Sequence, residues 1–146
     1  MPTAVLGTVL GMSGCSAHGP IGAANAYIPV PTTPGVTVGY LQIRNNGPAD
    51  ELVSVKTSVG GTVSLRAPVT NGTHVMSMRN VSEIPLPSDS TIRLDPNSYH
   101  LLITNAGSLP DGKAITLTLT FAHAGSISVI ALVTDPESGG SSYFLN

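Results

Sequence analysis

Alternation of apolar and polar residues marks most of the chain after its first twenty residues. Residues 36–44 (VTVGYLQIR) alternate between Pro34-Gly35 and Asn45-Asn46-Gly47. Residues 113–121 (KAITLTLTF) interleave apolar side chains with threonine at period two, the pattern of a half-buried strand. Residues 51–57 (ELVSVKT) place Leu52 and either Val53 or Val55 inward, and Gly60-Gly61 ends that segment. Further strands are predicted over residues 62–66, 73–81, 91–94, 99–104 and 126–133, with a short apolar stretch at Ile84-Pro85-Leu86. Turn signals separate them: Asn71-Gly72, which tolerates positive φ in a hairpin, then Asp95-Pro96-Asn97 and Ala124-Gly125. There is no internal repeat, and no helical period outside the first residues. Eight or so short strands with regular turns predict an all-β chain, a β-sandwich or barrel.

Composition agrees. The 146 residues suit one domain with a real core. Only 10% are charged, against about 25% in ordinary domains, and 16 glycines and 12 prolines favour turns over helices. Six Lys and Arg residues are scattered and the net charge is −2, so the electrostatic footprint of a nucleic-acid binder is missing. There is no Trp, and 4% aromatics give no stacking platform. The single cysteine, Cys15, rules out an internal disulfide and a thiolate cluster. Serine-hydrolase, phosphate-loop and His-Glu-x-x-His motifs are absent, and the chain is expected not to be an enzyme.

The N-terminus reads as an address. Residues 4–12 (AVLGTVLGM) are too short to span a bilayer but have the length of a signal-peptide apolar region. Met12-Ser13-Gly14-Cys15 is similar to a bacterial lipobox, in which the cysteine is lipidated. No Lys or Arg precedes the apolar run, which departs from an ordinary signal peptide. The other reading is a frayed N-terminal segment with a buried free cysteine. The expected division is a signal and tether over 1–20, a β-sandwich over 21–134 and a mobile tail over 135–146.

The chemistry-bearing residues are unevenly spread. His74, Met76 and Met78 alternate along one predicted strand, so their side chains share a face. Thioethers with imidazole suit Cu(I) better than Mg(II), Ca(II) or Mn(II). A second strand is needed to complete such a site, and His100 can supply it if the two strands adjoin. The plainer reading makes Met76 and Met78 core gap-fillers, because Thr73, Val75, Ser77 and Arg79 on the opposite face look solvated. His123 and His18 read as surface and tether residues.

Met78 and His100 are separated by twenty-one residues, 79–99. With Met76-Ser77-Met78-Arg79, Pro96-Asn97-Ser98-Tyr99-His100-Leu101, Gly39-Tyr40-Leu41 and the closing Leu117-Thr118-Leu119-Thr120-Phe121, this spacing resembles the periplasmic copper(I) chaperones of the PCu(A)C type over residues 26–133. That family carries a His, ten residues, a Met, twenty-one residues, then His-x-Met. The resemblance implies a single-domain antiparallel β-sandwich of cupredoxin or immunoglobulin-like Greek-key type that binds one Cu(I) outside the cytoplasm and passes it to cytochrome oxidase assembly proteins, held to the membrane only through a lipid on Cys15.

Two positions depart from the family pattern. Its first His falls near Arg66, a permanent cation that cannot ligate a metal, and its final Met is replaced by Leu102. The expected metal set is therefore His74, Met76, Met78 and His100. The alternative is a degenerate member that acts as a structural or interaction lipoprotein without metal.

Overall fold

The computed structural model describes residues 19–70, 72 and 76–135, with Met76 described by its backbone alone. The described chain forms ten strands: β1 (Ile21–Pro29), β2 (Val36–Asn45), β3 (Asp50–Thr57), β4 (Thr62–Thr70), β5 (Met76–Val81), β6 (Ile84–Leu86), β7 (Ser90–Leu94), β8 (His100–Thr104), β9 (Ala114–Phe121) and β10 (Gly125–Thr134). No helix occurs among the described residues. The all-β expectation holds.

The strands follow the order β5-β4-β8-β2-β1-β10-β9-β3-β6, with β7 also on β2. All pairings are antiparallel except β1 with β10, which run parallel from Ala26↔Ala131 to Pro29↔Thr134. Strand β2 joins the two layers of the sandwich. Its first half, Val36 to Gly39, pairs with β8, and its second half, Leu41 to Asn45, pairs with β7. The smaller layer is therefore β5-β4-β8 and the start of β2, and the larger one runs from β7 through β1, β10, β9 and β3 to β6.

One apolar cluster fills the space between them. Leu65, Leu101 and Ile103 of the smaller layer meet Ile28, Ile43, Leu52, Leu117, Leu119 and Val133 of the larger. Side chains alternate across a strand, so burying Leu101 and Ile103 on the core side puts His100, Leu102 and Thr104 on the outer side. The same holds on β4, where Leu65 and Ala67 are buried while Ser64, Arg66 and Pro68 face out.

Irregularities have local causes. Leu52 and Val55 are both buried although three residues apart, whereas Val53 is exposed. A register shift between Leu52 and Ser54 inserts the extra residue that makes this possible. On β1 the register shifts between Ala24 and Tyr27, where Asn25 takes φ +55°. Asn45 is fully buried, and its amide nitrogen donates to the carbonyls of Pro48, Leu86 and Pro87. That side chain ties the β2–β3 connection to the end of β6.

Candidate metal-handling face

The site grows out of strand register. Across β4 and β8, Arg66 stands opposite His100; across β4 and β5, Arg66 stands opposite Asn80 and Pro68 opposite Met78. Directly paired residues point to the same side of a sheet. Met78, Asn80, Arg66 and His100 therefore share the outer face of the smaller layer. The row continues through Tyr40, one step beyond the Gly39–Leu101 pair, to Tyr27. The Tyr40 ring lies 6.2 Å from the His100 ring, edge-on, and 5.2 Å from the Tyr27 ring.

Strands β5 and β8 do not adjoin, because β4 runs between them. Met78 and His100 flank β4 on one face instead of facing each other across one ladder. The core-filling reading of Met78 does not fit this register. The core side of β5 belongs to Val81, opposite Leu65, and the half-buried Met78 lies two residues from Asn80 on the outer side.

His100 is only 9% exposed although it faces away from the core. Burial lowers its pKa, the Arg66 charge lowers it further, and a hydrogen bond at Ser98 opposes them without reversing the direction. The ring is thus held neutral, the form that can ligate a metal. Nδ1 lies 3.4 Å from the Ser98 carbonyl oxygen, so it is the donor there, which leaves the Nε2 lone pair free.

Arg66 extends toward β5. Nη1 donates to Asn80 Oδ1 at 2.7 Å and Nη2 to the Met78 carbonyl oxygen at 3.2 Å. Its Nε is shielded from solvent and meets no hydrogen-bond acceptor among the described residues. Leu102, half-buried on the same face, offers no donor atom.

The other expected site residues fall elsewhere. His74 and Cys15 lie outside the described residues, and Met76 pairs by its backbone with Thr70. One cluster was not visible in the sequence. Asp50, Glu51 and His123 bring one ligand-type atom each within 4.8 Å of one another. Asp50 is buried, and its carboxylate accepts the backbone N–H groups of Glu51, His123 and Ala124 at 2.8, 3.0 and 2.8 Å. Burial alone would raise its pKa. The three N–H donors and the nearby His123 outweigh that and leave it lowered. Asp50 thereby pins the β9–β10 turn to the start of β3. No local motif announces a contact across 73 residues. His123 itself is exposed, as its turn position implied, with Nε2 3.8 Å from Glu51 Oε2.

Known proteins share this architecture. A curated relative, "Putative lipoprotein Lxx21020" of Leifsonia xyli subsp. xyli (strain CTCB07), is 27% identical over 154 residues, covering 95% of this chain and 91% of its own length. The apo PCuAC domain from PmoF1 superposes with a TM-score of 0.69 at 24% identity, covering 81% of this chain and 96% of that domain. The copper-bound PCuAC domain from PmoF2 gives 0.68 at 22% identity, covering 81% and 95%. The chain therefore has the fold of the PCuAC domains. Residues 21–133 match the family described as "Putative lipoprotein LpqE-like", and the chain belongs to that LpqE-like family.

Proposed function

We propose that this protein is an exported, lipid-anchored copper(I) carrier that passes its ion to a membrane acceptor such as a cytochrome oxidase assembly protein. The observation that carries the reading is the placement of Met78 and His100 on one outer face, on the two strands that flank β4. A neutral imidazole with a free Nε2 and a thioether on the same face form a soft donor pair suited to Cu(I). Met76, at the start of β5, and His74, which lies outside the described residues, would complete the set. Thioether coordination on an outer face exchanges ligands readily, as a carrier that performs no catalysis requires. The shared fold with a copper-bound PCuAC domain, the family's lipoprotein description and the lipobox-like Met12-Ser13-Gly14-Cys15 support the reading. One acyl chain gives limited hold on a membrane, which suits a carrier working close to it.

Arg66 favours a second reading. Its guanidinium lies on the face where an ion would be held, and it would take the place of the metal in a lipoprotein that serves as a structural or interaction module. A Cu(I) competition titration against a chromophoric chelator separates the two. The carrier reading expects a 1:1 complex that is lost in His100→Ala and in Met78→Ala. No Cu(I) uptake by the intact protein would sink it.

A further inference from the structure

We propose that Arg66 is a built-in competing cation that sets how weakly copper is held, with Asn80 as the latch that keeps it over the site. The inference rests on the copper(I) reading above. Arg66 occupies the middle strand of the three, directly between His100 and Asn80, with Met78 two residues from Asn80 along β5. Its fork is fastened to β5 through Asn80 Oδ1 and through the carbonyl of Met78 itself. The guanidinium thus reaches from β4 to the Met78 backbone, on the face that Met78 and His100 share.

The fastening is incomplete. Both acceptors are neutral, Nε has no acceptor, and no carboxylate lies within ion-pairing distance of Arg66 among the described residues. A half-buried cation without a counterion is poorly compensated. It can swing toward solvent at small cost, and any ion that binds beside it meets a like charge. Binding Cu(I) therefore requires either that Arg66 leave or that two unit positive charges share one face. Both routes lower affinity, and both favour handing the ion on.

The test is the chelator competition on wild type, Arg66→Gln, Arg66→Lys and Asn80→Ala, each checked for a native unfolding transition. Arg66→Gln removes the charge without adding a soft donor and should bind Cu(I) about tenfold more tightly, the scale of one like charge at close range. Arg66→Lys keeps the charge but not the two-point fork, so it should tighten binding less than Arg66→Gln. Asn80→Ala frees the guanidinium and should tighten binding several-fold. Raising the concentration of a salt whose anion does not ligate copper should tighten wild type and leave Arg66→Gln flat.

Equal affinities and equal salt slopes for wild type and Arg66→Gln overturn this inference and leave the copper reading intact. Uptake by Arg66→Gln alone supports the inference and removes the carrier function from the native chain. No uptake by any variant overturns both. If Arg66→Gln does not fold, the decision passes to Asn80→Ala, whose failure to tighten overturns the inference.

Discussion

Arg66 stands directly opposite His100 across the β4–β8 ladder. That one pairing fixes the character of the outer face. It puts a permanent cation beside a histidine that is buried and held neutral. It also puts the arginine near the place where the resembling pattern has its first histidine, with one extra residue before Met78.

Leu102 tests whether that face is the working one. It lies two residues beyond His100 on the same side of β8, opposite Ser64. Leu102→Met adds a thioether in a position of similar volume, so its cost in stability should stay below about 1.5 kcal/mol. Cu(I) affinity should rise about tenfold in the chelator assay, since a further thioether joins the set. An unchanged affinity would mean that copper binds elsewhere.

Asp50 gives the fold an acid dependence. Its pKa lies below that of the unfolded chain, so the folded state prefers the carboxylate. The stabilisation is complete above the ordinary carboxylate value and is lost as the pH falls through the folded value. Urea unfolding of wild type and Asp50→Asn between about pH 5 and pH 2 should show a steeper loss in wild type. Parallel curves would show that the three backbone N–H contacts do not favour the charged form. The variant should also be less stable at neutral pH, because an amide accepts those N–H groups less well than a carboxylate.

Gly61 is fixed by its surroundings. It has φ +82°, and a Cβ there would sit 2.5 Å from the Thr104 carbonyl oxygen and 2.8 Å from the Ala106 nitrogen. Gly61→Ala must move backbone at the point where β4 enters the smaller layer. We expect a loss of about 1–3 kcal/mol in chemical denaturation. Gly60→Ala, also at positive φ but with open space around it, should cost less.

The sequence was most informative where one period ran unbroken. The alternation over 113–121 corresponds to β9, from Ala114 to Phe121, and the alternation over 36–44 to β2. It was least informative where pairing is non-local. Strand β1 reads IGAANAYIP, small and interrupted by Asn25, and its identity comes from pairing on both sides with β2 and β10. Strand β4 continues past Arg66 to Thr70 although Pro68 suggests a stop, because Pro68 needs no donor where Val69 and Thr70 keep the register with β5. The choice between Val53 and Val55 was settled by a bulge. For the site, the spacing of Met78 and His100 was legible, whereas the strand between them was not. Spacing counts residues along the chain, and the order β5-β4-β8 is set by which edges the core brings together.

Copper-edge X-ray absorption on the Cu(I)-loaded protein decides whether Met78 and His100 hold the ion. The first shell should mix sulfur and nitrogen donors, with the sulfur amplitude reduced in Met78→Leu and the nitrogen amplitude reduced in His100→Phe. A first shell that neither substitution alters would contradict that assignment.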